Sequence, residues 1–329
     1  MKMSSRAHLV AVGIFGLIFV SLTGQCYGAL EVGFYERKCL ADVEKVVADV
    51  VKAKYKMDRT IAAALVRMQF HDCFVNGCDA SILLDGSSSE KTAPPNLSVR
   101  GYDVIDAAKA AVEVVCPGKV SCSDIIVMAT REAVCLSGGG RYSVQTGRRD
   151  GFVSLASNVD LPAPSISVNQ SVAAFARKGL NAIDMVYLLG GHTIGVAHCF
   201  LFQDRLYNFQ NTGGPDRSMD SSLLQKLRSI CPQNSAGSKT ADLDQNEYVP
   251  SSFIVDNSFY KQIRARRGVL QIDQELAFDP ITQSTVTTIA NSFGFSAKFG
   301  QAMVKLGAVG VLTGTQGEIR KSCRAVNTP

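Results

Sequence analysis

Histidine is scarce in this chain. It has four in 329 residues, and only His71, His192 and His198 follow the apolar N-terminal segment. Three histidines are too few for a typical multi-histidine hydrolytic metal site, and neither an HExxH pair nor a G-x-S-x-G elbow occurs. Tryptophan is absent altogether. Excess charge is also missing. The formal charge is +5, and removing Lys2 and Arg6 with an N-terminal signal leaves +3, too weak to argue for nucleic acid. Long apolar runs are missing apart from Leu9 to Leu22, which is short for a membrane span. Strand signals are few, and there are no repeats or low-complexity tracts.

What is there points to a secreted helical protein. Hydrophobic residues make up 46%, enough for a sizeable core and against disorder. Residues 1–28 read as a secretory signal: Lys2 and Arg6 form the basic region, an apolar stretch follows, and small residues end near Gly28. Nine of the ten cysteines lie beyond it: Cys39, Cys73, Cys78, Cys116, Cys122, Cys135, Cys199, Cys231 and Cys323. A secreted chain with this many implies disulfides, an odd number leaves one over, and connectivity stays open at this level. Asn96-Leu-Ser98 and Asn169-Gln-Ser171 have the form of N-glycosylation acceptors.

Helical periodicity dominates. It predicts helices over Ala41–Lys56, Arg59–Phe70 (capped by Asp58), Tyr102–Val115 and Ile125–Leu136, the last opened by a Ser121–Asp124 capping box. A second box, Asn181–Asp184, precedes Met185–Leu189. Further helices are expected at Ser221–Ser229, Ser258–Arg266, Pro280–Ser292 and Ser296–Gly307, and a short strand at Tyr142–Thr146. Asp160–Pro164 reads as a connector between two helical halves, and Asn208–Arg217 and Cys231–Pro250 as long loops.

The chemistry concentrates between Arg67 and Ser81. Arg67 and His71 are four apart and share a helix face. A base that takes and returns a peroxide proton, beside a cation that steadies charge on the breaking O–O bond, needs such a pair. Asp72, Asp79 and Ser81, with the carbonyls of Val75 and Gly77, offer hard oxygens for calcium. His192, in Gly190-Gly191-His192-Thr193-Ile194-Gly195, is a candidate haem ligand. Such a ligand wants a carboxylate on its second nitrogen. Asp273 lies among apolar residues, and a buried acid there needs a partner, for which a histidine is suitable.

The chain resembles the plant secretory haem peroxidases, the class III group of the plant peroxidase superfamily. The likeness runs from Gly33-Phe34-Tyr35 to Cys323-Arg324. It is carried by Phe70-His71-Asp72-Cys73-Phe74, Gly147-Arg148-Arg149-Asp150-Gly151, Leu161-Pro162-Ala163-Pro164 and Gly191-His192-Thr193-Ile194-Gly195. The resemblance implies an all-α, two-domain fold with haem b between a distal half (29–165) and a mainly proximal half (166–329), whose C-terminal segment is tied back to the first. It implies H2O2 reduction with one-electron oxidation of phenolic donors, in cell-wall phenolic polymerisation, H2O2 removal and stress response. The protein would be an extracellular monomer with no membrane or nucleic-acid partner, and with cell-wall polymers as a further contact.

By the same resemblance His71 is the acid–base residue, Arg67 the distal cation, Phe70 the distal packing residue and Asn96 the group that orients His71, its sequon left unglycosylated. His192 is the iron ligand, Asp273 its carboxylate partner, and Pro162 marks the donor site. One Ca2+ is held by Asp72, Val75, Gly77, Asp79 and Ser81. A second is held by Thr193, Asp244, Ser251, Ile254 and Asp256, although the Asp244–Asp256 spacing is longer than usual. The implied disulfides are Cys39–Cys116, Cys73–Cys78, Cys122–Cys323 and Cys199–Cys231, leaving Cys135 as a buried thiol. The chain departs from the family pattern at Leu40 (often proline), Gln69 (more commonly histidine) and Glu132 (aspartate), and has Tyr142 where tryptophan or tyrosine is usual.

Overall fold

Polar caps set the helix starts. In the computed structural model, which describes residues 30–233, 239–247 and 251–328, the first helix α1 (Val43–Met57) opens where the Asp42 carboxylate accepts from the Lys45 amide. Its buried residues are Val43, Val47 and Val51, one stripe at helical spacing. The expected signal segment lies outside the described residues. Helix α2 (Ile61–Cys73) starts later than the periodicity suggests. The Asp58 carboxylate accepts from the Thr60 amide and hydroxyl in a local turn instead of capping the helix. It also runs on through His71, Asp72 and Cys73. Helix α3 (Tyr102–Val115) has the predicted bounds.

Helix α4 (Cys122–Leu136) is capped by the Ser121 hydroxyl, but only this half of the expected box forms. The Asp124 carboxylate turns inward, accepting from the Tyr35 hydroxyl at 2.6 Å, the Gly147 amide at 2.7 Å and Arg148 Nη1 at 2.8 Å. Helix α5 (Val168–Arg177) is an element the periodicity reading missed. Its signal was a Ser167–Gln170 capping box, which forms reciprocally. The Asn181–Asp184 box opens α6 (Ala182–Leu189) as expected.

The remaining helices are α7 (Gln203–Tyr207), α8 (Ser221–Ile230), α9 (Ser258–Arg264), α10 (Gln271–Leu276), α11 (Gln283–Ala290) and α12 (Phe295–Leu306). Helix α9 stops short of the expected end because Arg266 takes a left-handed φ of 62°. Two small antiparallel pairs complete the set: β1 (Glu31–Val32) with β2 (Gln145–Thr146), and β3 (Val196–His198) with β4 (Thr240–Asp242). The expected strand therefore shrinks to its last two residues, and β4 occupies part of a presumed loop. The architecture is all-α otherwise, as expected. Among the described residues no helix is long and apolar enough to cross a membrane.

Helix α2 lies on α4, and α1 on both α3 and α4. All four implied disulfides are present, and Cys135 is free but half-buried rather than buried as expected. The Gly147–Gly151 motif is structural. Asp150, fully buried, accepts from the amides of Cys122 (3.1 Å), Ser123 (2.9 Å) and Arg320 (3.0 Å). With Cys122–Cys323 it fastens the C-terminal segment to the start of α4. A cross-link spanning 201 residues removes on the order of 5 kcal/mol of unfolded-state entropy in the loop-closure model.

Candidate active site

Arg67 and His71 meet on α2. Arg67 Nε donates to His71 Nε2 at 3.1 Å. The other ring nitrogen, Nδ1, lies 2.6 Å from the side-chain oxygen of Asn96, which sits in the short turn Pro94–Asn96. Asn96 Nδ2 donates to the Glu90 carbonyl at 2.8 Å, so its oxygen must face His71. A guanidinium can only donate, so His71 Nε2 carries the lone pair and Nδ1 the proton. Burial, then the Arg67 charge, push the imidazole down to about 3 against the opposing pull of Asn96. His71 is thus a neutral base near neutral pH.

Arg67 is held from the far side by the Ser98 hydroxyl (3.0 Å) and the Pro95 carbonyl (2.8 Å). Phe70 meets the His71 ring edge-on and continues into a cluster with Phe74 and Phe175 of α5.

His192 stands in a 3₁₀ turn, Gly190–Thr193, that follows α6. Its Nδ1 is 2.9 and 3.0 Å from the two oxygens of Asp273, a fully buried carboxylate on α10. Asp273 therefore holds the proton on Nδ1 and leaves the Nε2 lone pair for a metal. Burial disfavours charge on His192, but Asp273 outweighs it and the net shift is upward. The Asp160–Pro164 connector joins this region, for the Ile272 amide beside Asp273 donates to the Pro164 carbonyl at 3.0 Å. Pro162 is half-buried within it.

The His71 helix and the His192 turn lie against each other. His192 keeps 31% of its side-chain surface accessible, although burial weighs on its protonation, and the Arg67 charge also acts on it. Helix α2 approaches the His192 turn closely because that turn is glycine-rich. A Cβ on Gly191 would lie 3.4 Å from Val66, and one on Gly195 2.8 Å from Ala63. A lone-pair imidazole backed by a carboxylate on one side, and an Arg/His pair on the other, fit an iron porphyrin. His198 takes no part; it stacks on Phe200.

The loop after α2 gathers oxygens. Asp72 accepts from the Ala80 amide at 3.1 Å, and Asp79 from the Ser81 amide at 3.0 Å. The Gly77 carbonyl accepts from the Asp79 amide (2.8 Å), and the Val75 carbonyl from Lys178 Nζ (2.8 Å). Each carbonyl has a second lone pair. Burial and the charges of Asp79 and Glu90 push the Asp72 carboxyl well up. Burial likewise raises Asp79, and takes Glu90 to about 7. The buried Ser81 hydroxyl lies between the Asp79 and Glu90 carboxylates and opposes the upward shift of both. Three buried carboxylates and the Ser81 hydroxyl are a donor set that fits a hard cation. Glu90 is the member the sequence reading missed.

On the His192 side, Thr193 Oγ1 donates to the Ile254 carbonyl at 3.1 Å and accepts from the Asp256 amide at 3.4 Å. Ser258 bridges the two acids. Its amide donates to Asp256 at 2.7 Å and its hydroxyl to Asp244 at 3.3 Å. Thr193, Asp244, Ile254 and Asp256 thus share one neighbourhood. Ser251 opens a 3₁₀ turn there, and its side chain lies outside the described features.

The comparisons agree with this geometry. A family model described as "Peroxidase" matches residues 47–292. Peroxidase 60 of Arabidopsis thaliana is 52% identical, with 99% of each chain covered. Peroxidase 57 of the same plant is 53% identical over 92% of this chain and 94% of its own. Peroxidase N1 of Nicotiana tabacum is 46% identical over 90% of each. The chain belongs to the plant class III peroxidases. It is a haem peroxidase, with H2O2 and electron-donor molecules as its substrates.

Within this peroxidase the glycine before Gly191-His192 has a clear steric reason. A Cβ on Gly190 would run into the Tyr260 hydroxyl and lie 2.7 Å from Phe295. Gly190→Ala is expected to lose about 1–3 kcal/mol by overpacking and to shift the His192 turn. Denaturant unfolding and haem retention on gel filtration measure both; wild-type values for the two would refute the packing account.

Proposed function

We propose that this chain is a secreted, monomeric cell-wall peroxidase that oxidises phenolic donors one electron at a time, for polymerisation of the lignin or suberin type, while removing H2O2. The observation that carries the reading is the pair of imidazoles, each with Nδ1–H held by an oxygen and a lone pair on Nε2. Bound haem supplies the redox chemistry of O–O cleavage. The chain supplies the rest, from two halves, 29–165 and 166–329.

His71 Nε2 takes the proton from incoming peroxide and returns it to the leaving oxygen. Arg67 steadies the charge that develops on that oxygen. Asn96 fixes the tautomer that makes this possible, and its burial leaves no room for a glycan, whereas Asn169 is exposed. Phe70 shields the site. His192 would hold the iron, with Asp273 raising its basicity. Pro162, in the connector tied to α10, would border the phenolic donor. Two Ca2+ would be held, one by Asp72, Val75, Gly77, Asp79 and Ser81, the other by Thr193, Asp244, Ser251, Ile254 and Asp256. The weak positive charge of the mature chain favours no nucleic-acid partner and suits mild attraction to an anionic wall matrix.

Stopped-flow mixing with H2O2 tests the distal roles. His71→Leu should slow peroxide reduction by about 10²–10⁴-fold, since base and acid vanish together. Arg67→Leu should lose less, because only charge stabilisation goes. The neutral ring is the active form, so the wild-type rate should hold at mildly acidic pH and fall only as pH drops toward about 3. A near-normal rate in His71→Leu would sink the assignment.

Calcium has its own test. The Asp72–Ser81 loop continues directly from His71, so stripping the ion leaves its oxygens repelling one another beside the acid–base residue. Prolonged chelation should lower activity and thermal midpoint together, with recovery on adding Ca2+. Asp79→Ala should mimic chelation more closely than Asp244→Ala does. Metal analysis should return two Ca2+ per chain. A single ion would remove the Asp244–Asp256 site, and none would remove both.

A further inference from the structure

Rings run in continuous contact from His192 to the surface. The His192 ring meets Phe259 edge-on, with centroids 6.1 Å apart. Phe259 meets Tyr260 at 5.1 Å, and Tyr260 meets Phe295 at 5.3 Å. Phe295 then stacks on Tyr187 at 6.3 Å, with the planes 16° apart. Three helices supply these rings: α9 gives Phe259 and Tyr260, α12 gives Phe295 and α6 gives Tyr187. The steric clash that demands glycine at 190 places Tyr260 and Phe295 against the backbone two residues before His192. Phe259, Tyr260 and Phe295 are buried. Tyr187 is half-buried and is the first ring beyond His192 to reach solvent.

The two phenols in this series differ in what they can do. A phenol that gives up an electron becomes a strong acid, so it holds the oxidation only where its proton can leave. Tyr260 is fully buried, and its hydroxyl donates to the Val186 carbonyl at 2.8 Å. An amide carbonyl accepts that hydrogen bond but does not take the proton. Tyr187 borders water, which does. Its surroundings are apolar. Ile183, one turn earlier on the same face of α6, is 56% exposed, and Phe293, two residues before Phe295, is fully exposed. Such a rim suits aromatic rings arriving from solvent.

We propose that Tyr187 is a second oxidation site, for phenolic rings on polymers too large to approach the His71–His192 site. The donor class rests on the phenolic reading above. H2O2, in becoming water, withdraws two electrons from the enzyme. Tyr187 supplies one of them across Phe295, Tyr260 and Phe259 and releases its hydroxyl proton to water, which leaves a neutral phenoxyl radical. A phenol at the surface then gives Tyr187 one electron and one proton, and departs as a radical itself. Two such turns restore the enzyme.

The holoenzyme is mixed with H2O2 in the absence of donor, freeze-quenched and read by EPR. A parallel sample is trapped with 2-methyl-2-nitrosopropane, and the adduct is located by peptide mass spectrometry. A tyrosyl signal and an adduct on Tyr187 are expected. Tyr187→Phe keeps the ring stack but has no proton to release. It should lose both, and with them most turnover of lignosulfonate, a water-soluble phenolic polymer, while guaiacol turnover is unchanged. Phe295→Leu should lower the adduct yield. An adduct confined to other residues, or lignosulfonate turnover that survives Tyr187→Phe, would overturn the proposal. The trap needs no donor, so it decides the radical site independently of the phenolic reading. Absence of guaiacol turnover in the wild type would overturn that reading and the donor class with it.

Discussion

Each of two imidazoles gives its Nδ1 proton to a fixed oxygen, Asn96 for His71 and Asp273 for His192, and the remaining architecture follows from that constraint. The shared tautomer leaves two Nε2 lone pairs. What differs is the charge nearby. His71 has a guanidinium at 3.1 Å and is pushed down; His192 has a carboxylate and is pushed up. One environment favours a ring that exchanges protons freely, the other a ring with strong donor character toward a metal. The same side chain thus serves two purposes through its neighbours alone.

Holding those neighbours in place requires rigid surroundings. Asn96 is fixed by the Glu90 carbonyl, and the Glu90 carboxylate lies in the same acidic cluster as Asp72 and Asp79. The end of α2 is closed by Cys73–Cys78 and buttressed by the Phe70, Phe74 and Phe175 cluster. Lys178, just past the end of α5, reaches across to the Val75 carbonyl. The Asp150 hub and Cys122–Cys323 hold the C-terminal segment against the same half. The acid–base residue is therefore anchored at both ends of its hydrogen-bond chain.

Local signals in the sequence carried much of this. The Arg67/His71 spacing needs only helix geometry, and α3 and α6 were marked by periodicity and caps. Non-local features were legible only through family resemblance. Nothing near Asp273 names His192, 81 residues away, and no spacing rule pairs Cys122 with Cys323. Helix α10 was missed because six residues give too short a periodic pattern. Strands β3 and β4 were missed because each needs a partner more than forty positions distant. Helix α5 is different: its Ser167–Gln170 box is a local signal, legible without any distant partner. Glu90 went unassigned because its role depends on burial beside Asp72 and Asp79, which sequence does not display.

The Fe(III)/Fe(II) reduction potential of the Asp273→Asn variant, compared with the wild type, tests the central claim most directly. Asparagine can still accept the Nδ1–H bond, so haem should remain bound, but it lacks the charge that makes the imidazole a strong donor. The account predicts a higher potential in the variant, since ferric iron loses the more anionic ligand. An unchanged or lower potential would contradict it, and with it the idea that the two histidines are set apart by the charges beside them.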